Sequence, residues 1–180
     1  MLGHYENFPT IPHAKAILLN DSPTETLQRT ILKAFTQLNT QEYDQSTLST
    51  VATNCKIGFE FGIAEGTSFN YLNMEEIERF KRSWVKKTPV RLDFFCTVKY
   101  YLLTNSKKRK PLKFDYYLFR FIFGKPTVVL TVFHERGTRR LSIEELIEFL
   151  MKQINNELAN MKSKPIKIET VMCPVPIENL

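Results

Sequence analysis

The chain has 180 residues, 43% hydrophobic and 24% charged. This is a globular balance that excludes wholesale disorder and can bury a core without disulfides or metal. Only six glycines are present, which counts against Gly-rich phosphate loops, and the net charge of +6 is unevenly spread. Residues 1–80 hold 5 Lys/Arg against 10 Asp/Glu, whereas residues 81–140 hold 16 against 3. Such asymmetry points to an anionic partner: nucleic acid, a membrane surface or an acidic protein.

Residues 1–20 read as an N-terminal arm. Met1 to Thr10 show no basic segment followed by an apolar core, so no secretory signal is expected. The apolar run Ala14–Leu19 fits either a strand or the lead into a helix. A single domain is expected over 21–172. It opens on Ser22-Pro23-Thr24-Glu25, with a capping oxygen, a proline at the first helical position and a glutamate at the third. Leu27, Ile31, Ala34, Phe35 and Leu38 then form one helical stripe.

The polar stretch 40–54 reads as a loop. Cys55, Ile57, Phe59, Phe61 and Ile63 recur every second residue, which is a strand with one buried face. Gly58, Gly62 and Gly66 in and beside it point to bulges or a bend rather than a phosphate loop. A second helix starts at Asn73-Met74-Glu75-Glu76, carries Ile77, Phe80, Trp84 and Val85, and ends before Pro89. Val90 to Leu103 is a long strand with an apolar face, Phe114 to Phe123 an aromatic one, and Thr127 to His134 a third. Ser142-Ile143-Glu144-Glu145 then starts a long C-terminal helix whose apolar positions run from Leu146 to Met161. Ile166, Ile168 and Val171 predict a short last strand, and 173–180 an extended tail. The order predicts an α+β fold: an antiparallel β-meander with helices packed on one face.

The sharpest functional feature is the connection 104–113 between two aromatic strands. It carries Lys107, Lys108, Arg109, Lys110 and Lys113. A hairpin tip of this kind can lie along a phosphate backbone, where each neutralised phosphate releases counterions. It can equally be a solvated tip, or serve to discourage edge pairing. Arg136, Arg139 and Arg140 form a second group, at the entrance to the third helix, where arginine forks and a helix N-terminus could hold an anion. The competing expectation is that they pair with Glu135, Glu144 or Glu145, or sit in solvent. A secondary set comprises Lys81, Arg82, Lys86 and Lys87 at the end of the second helix, with Arg91 and Lys99 on the long strand.

The outer face of that strand alternates cations with Phe95 and Tyr101. These rings could stack bases or be covered by another element or by a partner subunit, and coverage is expected. Arg120, set among apolar residues, needs a partner, with Asp93 and Asp115 the candidates.

Catalytic patterns are weak. The three histidines (His4, His13, His134) are scattered, and Cys55, Cys96 and Cys173 are odd in number and far apart. This leans against an enzyme and predicts no metal, no cofactor, no disulfide framework and a reducing, intracellular compartment, cytoplasmic or nuclear. The apolar stretches are too short to span a bilayer.

Three readings follow. The first is a non-enzymatic protein that contacts nucleic acid through the basic hairpin, as part of a larger complex. The second is an assembly or adaptor subunit, a homo- or hetero-oligomer whose acidic and basic halves dock partners of opposite charge, such as an acidic protein surface, with the aromatic sheet face as a buried interface. The third is a domain with a small-ligand or enzymatic pocket between sheet and helix.

Overall fold

A computed structural model describes residues 3–49, 55–84, 88–103 and 109–173. The strands are β1 (Gly3–His4), β2 (Ala14–Leu19), β3 (Glu42–Asp44), β4 (Cys55–Glu65), β5 (Ser68–Tyr71), β6 (Arg91–Leu103), β7 (Arg109–Phe123), β8 (Thr127–Arg136) and β9 (Lys167–Met172). The helices are α1 (Thr24–Leu38), α2 (Met74–Trp84) and α3 (Ile143–Asn160). All nine strands join one antiparallel sheet in the order β1-β5-β4-β6-β7-β8-β2-β9, with β3 on β4. The fold is α+β and contains the expected meander, β6 to β8.

One face of the sheet is nearly all apolar. Phe61 and Ile63 on β4, Phe94 and Val98 on β6, Phe119 and Phe121 on β7, and Leu130 and Val132 on β8 are fully buried. Leu27, Ile31 and Phe35 of α1, Ile77 and Trp84 of α2, and Leu146, Leu150 and Ile154 of α3 join the same core. The helices therefore share one face, as the stripes in the sequence require.

Local chemistry explains the helix starts. Ser142 Oγ accepts the Glu145 amide at 3.1 Å, and the Glu145 carboxylate accepts the Ser142 amide at 2.9 Å, a complete capping box. At α2, Asn73 Oδ1 accepts the Glu76 amide at 2.9 Å, while the Glu76 carboxylate goes to Arg79 at 2.7 Å. The expected Ser22 cap is not made. Pro23 occupies the cap position without a side-chain bond, and Asn20 organises the entry instead, accepting from the Ser22 amide and donating to the Ser22 carbonyl.

Other expectations shift. Ala14–Leu19, placed in the arm, is a strand inside the sheet, flanked by β8 and β9. The stretch read as a polar loop over 40–54 contains β3 and a 3-10 turn at Gln45–Thr47. Residues 50–54 lie outside the described residues, as do 174–180 of the tail. The register of β4 on β6 runs unbroken from Cys55 to Ile63, so Gly58 and Gly62 make no bulge there. The register shifts fall at Ile17/Leu18, Lys99/Tyr101 and Tyr116/Tyr117. No helix among the described residues is long and apolar enough to cross a membrane.

The arm has a definite role in the fold. Residues 5–13 cross the second face of the sheet, where Phe8, Phe69 and Leu118 form a small core with Tyr5, Phe95 and Phe133. The Tyr5 amide donates to Thr67 O at 2.9 Å and the His13 amide to Val132 O at 2.8 Å, fixing both ends. His13 stacks on Phe133 at 4.6 Å. Phe95 is thus covered by another element, as expected.

In the middle of the arm, Arg120 meets Asp93 with two bonds of 2.7 Å, which settles its partner as Asp93 rather than Asp115. The Arg120 guanidinium also lies 4.7 Å over the Phe8 ring. The Tyr5 hydroxyl donates to Asp93 and accepts from Arg120. Burial and then the Asp93 carboxylate push the Tyr5 hydroxyl up to about 12, so it remains a donor. Tyr5→Phe is expected to cost about 1.5 kcal/mol, the low end for a hydrogen bond to a charged group because the ring is only half-buried. Urea denaturation of the two proteins measures it.

Candidate functional site

Strand β7 is longer than its neighbour. Tyr116 opposite Arg136 is its last pairing with β8, so residues 109–115 project past β8 and pair only with β6. The chain leaving β8 folds back onto this projecting edge. Asp115 is fully buried and anchors it. Its Oδ1 accepts the Arg139 amide at 2.8 Å, and its Oδ2 accepts the Arg140 amide at 3.2 Å and the Tyr100 hydroxyl at 2.7 Å. His134 Nε2 lies 3.3 Å from Oδ1.

Burial alone would raise the Asp115 carboxyl. The donors from Tyr100, the Arg139 and Arg140 amides and His134 outweigh it and hold the group below its ordinary value. The anchored turn is tight. Gly137 has φ +122°, and a Cβ there would sit 2.1 Å from Asp115 Oδ1 and 2.5 Å from the Phe114 carbonyl oxygen. Only glycine fits this approach. Arg139 is also left-handed, at φ 48°, a conformation that costs energy outside glycine and is held here by the Asp115 bond to its amide.

The clasp ties the turn that bears the exposed Arg136, Arg139 and Arg140 to β7 at Asp115 and Tyr116, and the same strand carries the exposed Lys110 and Lys113. The Arg136 guanidinium lies 4.4 Å over the Tyr116 ring, and that of Arg140 lies 5.8 Å from the Tyr100 ring. Ring stacking orients an arginine without neutralising it. Among the described residues these arginines make no ion pair with Glu135 or Glu144, and they are exposed, as the solvated alternative expects. Glu145 closes the capping box, and Glu144 accepts from Cys173 Sγ at 2.9 Å. Arg109 opens β7 opposite Leu103. Lys107 and Lys108 lie outside the described residues, as does the rest of the tip from 104.

The described members of the secondary set, Lys81, Arg82, Arg91 and Lys99, lie elsewhere. Lys99 is ion-paired with Glu60 across β6 and β4. Lys81 pairs with Glu78 at 2.6 Å, and Arg82 Nε donates to the Glu78 carbonyl at 3.3 Å. Arg91 shares a cavity with Phe80 and Trp84 at the opposite end of β6, and Lys86 and Lys87 lie outside the described residues.

The chain matches no protein-family model, no curated protein and no solved structure. Its chemistry therefore has to be read from its own side chains. Among the described residues, no three His, Cys, Asp or Glu side chains are grouped to hold a metal ion. The Tyr100–Asp115–His134 group, which spacing alone did not reveal, is sealed in the core and spends its hydrogen bonds on the turn. Cys96 is wholly buried, and burial raises its thiol well above the ordinary range, a packing cysteine rather than a nucleophile.

Proposed function

We propose that this chain is a non-enzymatic binding protein that contacts the phosphate backbone of a nucleic acid with the basic end of its sheet, as a subunit of a larger complex. The observation that carries this reading is the Asp115 clasp. It holds the turn that bears the exposed Arg136, Arg139 and Arg140 against β7, the strand that also carries the exposed Lys110 and Lys113. Cations on a solvated surface usually find acids or spread apart. Here a buried carboxylate holds the turn through backbone amides and leaves the guanidinium groups outward. Arginine suits bidentate phosphate contact.

Binding should be tight at low salt and fall steeply as salt rises. Fluorescence anisotropy with a generic single-stranded RNA at several salt concentrations reads the slope of log K against log salt. The triple substitution Arg136→Ala, Arg139→Ala, Arg140→Ala is expected to flatten that slope by about 2, at about 0.7 per phosphate contact. Lys81→Ala with Arg82→Ala should leave it unchanged. Absence of binding even at low salt would sink the proposal. The adaptor reading uses the same cations on an acidic protein. Of the aromatic sheet face that it would use, Phe95 packs against the chain's own N-terminal segment.

A further inference from the structure

A cavity of about 370 Å³ opens between the N-terminal segment and the second face of the sheet, within the range of small-ligand sites. Phe95, Tyr116 and Leu118 line its sheet side, Glu135 and Arg136 line one rim, and Glu6 of the arm lines another. Phe95 and Tyr116 are half-buried, with rings stacked at 5.8 Å and 27°, and Arg136 covers the Tyr116 ring. The cavity therefore shares Arg136 with the basic end and begins where that surface stops. The exposed Arg136 guanidinium, held flat over Tyr116, suits a planar ring, and the carboxylates at the rim accept from amino groups.

We infer that this cavity receives one unpaired base of a single-stranded nucleic acid whose phosphates lie on the basic end, and that it favours bases with an exocyclic amino group. The inference rests on the phosphate reading and goes beyond it by naming the strand state and the base chemistry. A duplex cannot place a base here without breaking its stack. Uracil offers no amino group to Glu135 or Glu6, whereas cytosine does.

The test uses the full chain at low salt with three probes: oligocytidine, oligouridine and inorganic polyphosphate. The wild type should bind oligocytidine at least about fivefold tighter than oligouridine, the lower bound for one discriminating contact. Tyr116→Ala removes the ring that holds the Arg136 guanidinium flat and should weaken both oligonucleotides by about fivefold or more, the smaller value for loss of one stacking platform. It should leave polyphosphate within about twofold, since phosphate contacts carry that binding. Glu135→Ala with Glu6→Ala removes both rim acceptors at exposed positions, so the two oligonucleotides should bind this variant with equal affinity. Equal binding of the two oligonucleotides, or parallel losses on polyphosphate and oligonucleotides in Tyr116→Ala, overturns the base cavity and leaves the phosphate reading standing. Failure of all three probes to bind overturns both.

Discussion

Asp115→Ala is expected to lower the free energy of unfolding by about 3 kcal/mol or more, from three donors left without their buried acceptor at about 1 kcal/mol or more each. The carboxylate is fully buried and accepts from one hydroxyl and two amides. Without it, those donors and His134 lose their acceptor inside the protein. Urea denaturation followed by circular dichroism measures the loss, and a change under about 1 kcal/mol would show that the network contributes little.

The pH dependence has a fixed sign. The carboxyl is held below its ordinary value of 3.8 in the fold, so the unfolded chain binds its proton first as pH falls. The stabilisation is fully present above 3.8 and is lost as pH falls through the folded value. The gap between wild type and Asp115→Ala should therefore be widest near neutral pH and close in stronger acid. The variant should also bind single-stranded RNA more weakly per folded molecule, because Arg139 and Arg140 lose the anchor that sets them beside β7.

Phe35→Ala should cost a similar amount, about 3–5 kcal/mol, for a different reason. Phe35 is fully buried on α1 and stacks on Phe61 at 4.2 Å. It meets Phe94 edge-on at 5.0 Å and Phe121 at 6.1 Å. Truncation leaves a cavity between helix and sheet that close-packed neighbours fill only in part. Nothing at the basic end touches this ring, so RNA affinity of the folded fraction should be unchanged. The pair of variants separates stability from function: equal destabilisation, with loss of binding in Asp115→Ala alone. Loss of binding in both would mean that the basic end depends on the general integrity of the core.

What the sequence made legible was local. The Ser142 capping box, the stripe of α1 and the alternation of β4 and β6 each depend on residues within a turn or a pleat of one another. Arg120 announced its need for an acid because it sits in an apolar run, and the register of β6 on β7 supplied Asp93. Strands of two to four residues, such as β1, β3 and β5, carry too little pattern to stand out from loops. The strand identity of Ala14–Leu19 depends on β8 and β9, far away in sequence.

The arginine clasp was hidden for the same reason, although it left a signal. Asp115 shares the phase of Tyr117, Phe119 and Phe121, the buried set of β7. An acid in that phase demands donors from elsewhere in the chain. Gly137, in a turn directly after a strand, marked where they come from. The arm left a fainter mark in Tyr5 and Phe8, two aromatic rings in a stretch with no periodicity of its own.

The placement of β2 between β8 and β9 also governs the order in which the molecule can be assembled. Ala14 pairs with Val132 and Leu19 with Thr127, so this early apolar segment has no neighbour until most of the polypeptide has been synthesised. Helix α1 can form at once, but the sheet that it covers closes only after β8 emerges and β9 follows. Such distant pairings slow folding, to roughly milliseconds or seconds, and leave Ala14, Ala16 and Leu18 uncovered on the growing chain, where chaperones act. A ribosome-bound fragment stopped before residue 127 should therefore be open to protease at β2, and a chain extended past residue 172 should be closed there.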